Sequence, residues 1–321
     1  MKKPWSILPA TLVALTAVMS FASNTANADE AKYPAKPIQL IVPFAAGGGT
    51  DAVGRILAES MKNVLKQDVV VVNKIGGAGA VGMNEGLRAK PDGYTVTMVT
   101  REVSSLPLLG QAPFKTLDFK YVGNVNSDPA VVTVSTDSPY KTIDDLMGAM
   151  KANPGKLKFA ASAAPNFYAI QFSLESGLTF ITVPFQGAAP AMIEILGGRA
   201  DFGIYNPGEI KAQVEAGKLR ALAVMASKRV DGMKDVPTFK EKGLNVVAGT
   251  FRGLAVPPQT PDAVVKVLET ALAQAVKEPK FVEFMNSSFL GIDYRNSADF
   301  VALVEADMKA LKPVAEAINK K

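Results

Sequence analysis

The stretch Val42-Pro-Phe-Ala-Ala-Gly-Gly-Gly-Thr-Asp-Ala-Val-Gly-Arg55 (VPFAAGGGTDAVGR) joins two segments of different hydrophobic period. Before it, Ile38 to Val42 is a short run rich in β-branched residues, the pattern of a buried strand. After Gly49, Val53, Ile56, Leu57, Met61, Val64 and Leu65 follow the i, i+3, i+4, i+7 rule of a helix with one apolar face. The glycines are therefore a strand-to-helix turn, and Gly47, Gly49 and Ala52 fit the G-x-G-x-x-G/A dinucleotide pattern. A Walker loop is excluded, because no lysine follows these glycines. The dinucleotide reading has its strand and helix, but the acid it needs about 20 residues on is replaced by Asn73-Lys74. Asp51, in the first turn, would also repel a pyrophosphate. Two readings of the residues remain. The backbone N–H groups of Gly47 to Thr50 at a helix N-terminus attract a small anion, a carboxylate included, or the glycines simply make a tight turn.

The first 28 residues have another character. Lys2 and Lys3 precede a largely apolar run from Ile7 to Phe21, and Ala26-Asn27-Ala28 forms an A-x-A cleavage site before Asp29. The run is shorter than the roughly 20 residues a membrane span needs and is broken by Pro9 and Thr11, so an export signal is expected rather than an anchor. Export separates the chain from NAD. Without Lys2 and Lys3, 33 basic residues face 30 acidic ones, with no long basic run, so nucleic acid is not an expected partner. The chain has no cysteine and no histidine, which removes disulfides, thiolate metal sites and the commonest general base. No G-x-S-x-G elbow nominates a serine nucleophile, and no calcium loop occurs. Hydrolysis is left only Ser-Lys, carboxylate-pair or hard-metal chemistry.

Further strand-like runs lie at Val69 to Val72, Thr95 to Val99, Val131 to Val134, Lys158 to Ala161, Phe180 to Val183, Phe202 to Tyr205 and Ala221 to Val224. Helical patterns separate them, which predicts an α/β fold. Thr142 and Asp145 make a capping-box variant, and Thr260-Pro261 predicts an N-cap and N1 proline ahead of Val264, Val265, Leu268, Ala271 and Leu272. C-terminal helices are expected over Ala263 to Lys277 and Ala298 to Ile318. There is no solenoid period. One echo stands out: Val42-Pro43-Phe44 and Val183-Pro184-Phe185 both end a strand and enter a small-residue turn and helix, as two lobes with matching rims would.

A family resemblance rests on many separate motifs. They are Tyr33-Pro-Ala-Lys-Pro through Val42-Pro-Phe44, Gly47-Gly-Gly-Thr-Asp51, Val71-Val-Asn73, Gly76-Gly-Ala-Gly79, Pro91-Asp-Gly-Tyr94, Pro154-Gly-Lys156, Val183-Pro-Phe-Gln-Gly187, Leu196-Gly-Gly198 and Ala216-Gly-Lys-Leu-Arg-Ala-Leu222. In order and spacing, over essentially the whole mature chain, this resembles the solute-binding proteins of tripartite tricarboxylate transporters, the TctC or Bug family. The resemblance implies a two-lobed periplasmic binding protein of type II, a Venus flytrap with its ligand cleft between lobes. It implies a monomer in the periplasm of a Gram-negative bacterium, with no cofactor, no metal and no catalysis. Its partners would be a small organic carboxylate and the large and small permease subunits in the membrane. By analogy, residues 31–126 with 253–321 form the first lobe and 127–252 the second.

The resemblance also implies site residues. The loop after the first strand, Phe44, Ala45, Gly47, Gly48, Gly49, Thr50 and Asp51, would contact the carboxylate through backbone N–H groups and ordered water, with Gly77 of the glycine turn at the same cleft edge. From the second lobe come Ser162 and Asn166 in the loop after Lys158 to Ala161, and Phe185, Gly187 and Ala188 in the turn after Val183-Pro184. Here the chain departs from the family. Ala161-Ser-Ala-Ala-Pro-Asn-Phe-Tyr168 replaces a glycine-rich Ser-Ala-Gly-x-Gly-Ser run, and Phe185 stands where tyrosine is frequent.

Several side chains carry two readings. Arg101, in the segment with Ser104, either holds a second carboxylate bidentately or is solvated beside Glu102. Arg252 is read as bridging the lobes or pairing with a hinge acid. Asp51 starts a helix or recognises an ammonium group. Asn206 bonds a ligand across the cleft or serves the Asn-Pro-Gly turn. Trp5 leaves with the signal, so stacking is left to Phe44, Phe167, Tyr168 and Phe185. Beside the transport reading stand an exported protein presenting a carboxylate or acidic amino acid to a sensor, and a secreted hydrolase.

Overall fold

In the computed structural model, helices cover both faces of two separate sheets. The described residues are Met1 and 33–319. The expected export signal, residues 1–28, therefore lies outside them apart from Met1. Among the described residues the strands are β1 Ile38–Val42, β2 Val69–Asn73, β3 Thr95–Thr100, β4 Lys120–Pro129, β5 Val131–Ser135, β6 Lys158–Ala161, β7 Ile181–Pro184, β8 Phe202–Tyr205, β9 Leu219–Val224, β10 Gly249–Val256 and β11 Ile292–Arg295. The helices are α1 Gly49–Leu65, α2 Ala80–Leu87, α3 Glu102–Leu108, α4 Ile143–Ala152, α5 Phe167–Ser176, α6 Ala188–Leu196, α7 Pro207–Glu215, α8 Asp262–Ala275, α9 Pro279–Ser287 and α10 Ser297–Asn319. None of them is long and apolar enough to cross a membrane.

The first sheet has the order β11-β4-β10-β3-β1-β2, and the second β7-β6-β8-β5-β9. In each, the strands followed by helices pair parallel, β1 with β2 and β3, β6 with β7 and β8. Parallel strands need crossover helices, and these cover the sheet faces. The alternation of side chains along the strands divides the core. Leu254 and Val256 of β10 point with Leu40 and Val42 into the layer under α1, α8 and α9, where Leu57, Leu268 and Phe281 are fully enclosed. Phe251 and Ala255 point the other way, against Val103 and Leu106 of α3 and Phe300 and Val304 of α10. Each such side chain taken from water stabilises by about 1.5–3 kcal/mol. The second sheet repeats the arrangement with Phe159, Phe172 and Phe202 on one face and Ile195, Tyr205 and Ile210 on the other.

The chain passes between sheets at two adjacent places. β4 runs antiparallel to β10, from Lys120 opposite Val256 to Pro129 opposite Gly249, with register shifts at Arg252/Gly253 and Leu254/Ala255. The second sheet begins one residue beyond β4, at β5.

The sequence pattern located β1, β6 and β8 to the residue but not β4, β10 or β11. The expected helix caps divide likewise. Thr142 accepts the Asp145 N–H at 3.1 Å and Asp145 accepts the Thr142 N–H at 2.8 Å, a full capping box. At α8 the start lies one residue later than expected, with Pro261 in the N-cap place. Thr260 is drawn into a turn by its N–H bond to the Pro257 carbonyl at 3.1 Å, while its own carbonyl accepts the Lys120 ammonium at 2.8 Å.

Candidate functional site

The turn between β1 and α1 is held open by its own polar residues. Asp51 Oδ2 accepts the Gly47 N–H at 3.0 Å and Arg55 Nε at 2.9 Å, and its Oδ1 accepts Asn73 Nδ2 at 2.9 Å. Asn73, at the end of β2 where a dinucleotide enzyme would place its acid, also donates to the Phe44 carbonyl at 2.9 Å. Burial alone would raise the Asp51 pKa, but the bonds from Arg55, Gly47 and Asn73 bring it below the ordinary carboxylate range. Asp51 is thus a brace for the loop. Gly47 takes φ +84°, a left-handed conformation that a side chain resists.

The braced loop delivers the N-terminus of α1 to a pocket of about 480 Å³, including the part open to solvent. Gly48 in the N-cap place supplies no side-chain cap. From the second sheet, α6 arrives at the same pocket behind Gly187, again with no side-chain cap and with φ +128°. The two turns touch: the Ala45 N–H donates to the Gln186 carbonyl at 3.3 Å, and a Cβ on Gly187 would lie 3.4 Å from that of Ala45. The rim echo in the sequence, Val-Pro-Phe twice, is thus an echo of two helix starts that share one cavity.

A third helix start adds a carboxylate. Asn206 and Glu209 close the beginning of α7, with Glu209 Oε2 accepting the Asn206 N–H at 2.9 Å. The other oxygen of Glu209 reaches across to the first sheet's side and accepts the Gly49 N–H at 3.2 Å. A carboxylate of this chain therefore sits on the N-terminus of α1, where the partial positive charge is greatest. A Cβ at Gly49 would come within 2.8 Å of Glu209 Cγ and 3.1 Å of Arg252 Nη2, so the position admits only glycine without movement. Burial raises the proton affinity of Glu209, against the lowering effects of Arg252 and the two N–H donors.

Arg252, on β10, is 1% exposed and joins four elements. Its Nε donates to Thr50 Oγ1 at 3.1 Å, Nη1 to Asp128 Oδ2 at 2.6 Å and to Asn126 Oδ1, and Nη2 to Asn206 Oδ1 at 3.0 Å. It pairs with an acid of the crossing strand β4 and binds the start of α7 in the second sheet's half. Asn206 Nδ2 completes the tie by donating to the Pro129 carbonyl at 3.0 Å. The remaining wall is formed by Thr100, Glu102, Tyr168 and Thr250, with Ser162 and Ala163 beside them. Thr100 Oγ1 donates to Glu102 Oε2 at 2.5 Å, and burial pushes the Glu102 pKa up. Tyr168 is also shifted up, by burial and then by the Glu102 charge.

Of the residues singled out from the sequence, Phe44, Ala45, Gly48, Gly49, Thr50, Ser162, Gly187, Ala188 and Asn206 line this pocket. Gly47, Asp51, Gly77, Arg101, Ser104, Asn166 and Phe185 do not. Gly77 lies in the turn that ends at Gly79, where a Cβ would meet the Phe44 ring at 3.2 Å, so this turn supports the pocket through Phe44. Arg101 does not pair with Glu102. It is buried, with Nε on Asp307 Oδ1 at 3.0 Å and Nη1 on the Gly249 carbonyl at 3.2 Å, fastening α10 to the start of β10. Ser104 lies beside the same Asp307 carboxyl, whose pKa burial raises. Asn166 caps α5 by accepting the Ala169 N–H at 3.0 Å, and Phe185 packs in the core of the second sheet.

Thr100, Glu102, Glu209 and Thr250 carried no motif, because only tertiary packing brings them to the cavity. The sequence Ser138-Pro-Tyr-Lys141 does have the S-x-x-K spacing of a serine nucleophile and its lysine. It lies in an exposed turn, where Lys141 Nζ donates to the Ser138 carbonyl at 2.8 Å. Among the described residues no group of three or more acids is placed to hold a metal ion.

Comparison with known proteins agrees with this geometry. Residues 53–320 match the model of the TctC family, described as tripartite tricarboxylate transporter family receptor. The UPF0065 protein in the gbd 5′ region of Cupriavidus necator is 30% identical over 329 aligned residues, covering 99% of this chain and 98% of the relative. The solved periplasmic binding protein BugD is 32% identical with a TM-score of 0.83, over 90% of this chain and 98% of its own. An R. palustris protein solved with adipate is 25% identical with a TM-score of 0.84, over 88% of this chain and 97% of its own. The two sheets, the shared cavity and these matches give one conclusion: the chain belongs to the TctC family of tripartite tricarboxylate transporter receptors, periplasmic binding proteins of two-lobed α/β fold.

Proposed function

We propose that this protein captures a small organic carboxylate in the periplasm and delivers it to the large and small membrane subunits of a tripartite tricarboxylate transporter. One observation carries the reading: two helix starts whose N-cap residues, Gly48 and Gly187, supply no side-chain cap line the same cavity, α1 with its Gly49 N–H on Glu209 and α6 from the other sheet. Unpaired N–H groups at a helix start bind anions. The adipate held by the R. palustris relative supports a carboxylate as that anion. Each hydrogen bond to a charged carboxylate contributes about 1.5–3 kcal/mol, and micromolar affinity needs about 8 kcal/mol, so a few well-aimed donors suffice.

The lobes divide where the chain leaves and re-enters the first sheet, along β4 and β10. Contacts from both lobes exist together only when the cleft is shut, so a ligand that uses both favours closure, which the permease can read as occupancy. No bond is broken, and the protein acts as a monomer without cofactor. The test is a thermal-shift screen of mono-, di- and tricarboxylates, aromatic carboxylates and amino acids against the purified protein. A ligand at 100 times its Kd adds about 2.7 kcal/mol of stability. Stabilisation by one carboxylate class without turnover is the expected result. Stabilisation by NAD, or hydrolysis of ester, phosphate or glycoside substrates, would overturn the reading.

A further inference from the structure

The charges around the pocket do not balance. Among the described residues Arg252 is the one basic residue on its wall, and Asp128 already neutralises it at 2.6 Å. Two carboxylates share the wall with it, Glu102 and Glu209. Glu209 is compensated by the N–H groups of Asn206 and Gly49 and by the nearby guanidinium. Glu102 has the Thr100 hydroxyl and its own backbone N–H and, among the described residues, no ion pair. Its sequence neighbour Arg101 is turned to Asp307, so the two arginines act on Glu102 without touching it.

We propose that Glu102 selects a ligand that carries a protonated nitrogen as well as a carboxylate, with the ammonium group meeting Glu102 while the carboxylate lies at the starts of α1 and α6. The inference rests on the carboxylate reading above and narrows it from any small organic acid to a zwitterion. A charge enters an enclosed site favourably only if an opposite charge or aimed dipoles meet it there. The helix starts meet one carboxylate. A second ligand carboxylate would arrive beside Glu102 and Glu209 with no free cation on the wall, and like charges in one site oppose each other. An ammonium reverses the sign of that contact. The hydroxyls around Glu102, from Thr100, Thr250 and Tyr168, offer oxygens for its remaining N–H donors. Burial draws a proton toward Glu102, and a bound ammonium supplies the same positive charge without protonating it.

Isothermal titration decides the matter with probes of equal length that differ at one end: hexanoate, adipate and 6-aminohexanoate; and butyrate, succinate and 4-aminobutyrate. Each is titrated into the wild-type protein and Glu102→Gln. The tightest probe is expected to be a zwitterion, at least about tenfold tighter than its dicarboxylate and monocarboxylate counterparts. Glu102→Gln is expected to erase that margin. The inference is overturned if a dicarboxylate binds tightest, as it would with a protonated Glu102 donating to it, or if Glu102→Gln leaves the zwitterion untouched. The wild-type ranking stands whether or not the variant folds. If hexylamine matches 6-aminohexanoate, the carboxylate reading fails and the role of Glu102 stands. If no probe binds, both fail.

Discussion

Arg252→Met removes the guanidinium that ties α1, β4, β10 and α7 together, and the cost can be worked from its partners. The side chain is 2% exposed and that of Asp128 1%, so the variant leaves a buried carboxylate with no cation. Breaking one side of such a pair costs about 3–5 kcal/mol, most of it from the stranded charge. Asp128 keeps one bond, since its Oδ1 accepts the Gly291 N–H at 2.7 Å. At an unfolding entropy of about 2.1 cal/mol/K per residue, a chain of this length loses about 1.5 °C per kcal/mol, so the melting temperature should fall by about 4.5–7.5 °C. The assay is calorimetric melting of ligand-free wild type, Arg252→Met, Asp128→Asn and the double variant. Asparagine keeps the acceptor for Gly291 and removes the stranded charge, so the double variant should recover at least about 2 kcal/mol of the summed single losses. A loss below about 1 kcal/mol in Arg252→Met, or a coupling near zero, would refute the claim that this buried pair fastens the crossing strands β4 and β10 together.

Asp51→Asn should lower the melting temperature at pH 7 by about 3 °C, for about 2 kcal/mol of charge-assisted bonding. Because the folded pKa of Asp51 is depressed, its stabilisation is present above the unfolded value of about 3.9 and is lost as pH falls through the folded value, so the difference between variant and wild type should close in acid. Glu102 has the opposite sign. Its raised folded pKa makes its own contribution fullest below about pH 4.3, and that contribution is lost as pH rises through the folded value, so Glu102→Gln should melt above wild type at pH 7.5 and not at pH 4. Gly49→Ala pushes a methyl into Glu209 and Arg252 and should cost about 1–3 kcal/mol. The same variant should abolish stabilisation by any carboxylate that stabilises wild type. Arg101→Ala should lower the melting temperature yet leave the ratio of dicarboxylate to monocarboxylate affinity unchanged; a selective loss of the dicarboxylate would return Arg101 to the ligand.

What the sequence disclosed follows the range of the forces involved. The β1–glycine–α1 unit is legible because strand period, turn chemistry and helix period are all local to Ile38–Leu65. β4 and β10 were not, since Lys-Tyr-Val-Gly-Asn-Val-Asn-Ser-Asp-Pro and Gly-Thr-Phe-Arg-Gly-Leu-Ala-Val lack the apolar run of a central strand. Their polar residues are satisfied by distant ones: Asn124 donates to the Asp293 carbonyl at 2.8 Å and Asn126 to that of Gly291 at 2.6 Å. The site divides in the same way. Helix starts announce themselves by glycine, whereas Glu102 and Glu209 look like ordinary helix-start acids until the second sheet is set against the first. The partner of Arg101 was not legible because the acid that holds it, Asp307, is 206 residues away.

The two crossings between the sheets are neighbouring rungs of one antiparallel ladder rather than loose linkers. Such a ribbon behaves as a leaf spring. Sliding one strand along the other breaks rungs, while flexing out of the ribbon's plane keeps them, so the ribbon bends more readily than it shears. The register shift at Arg252/Gly253 interrupts the ribbon beside the guanidinium, so the Arg252–Asp128 ion pair bridges the two strands where the ladder is irregular.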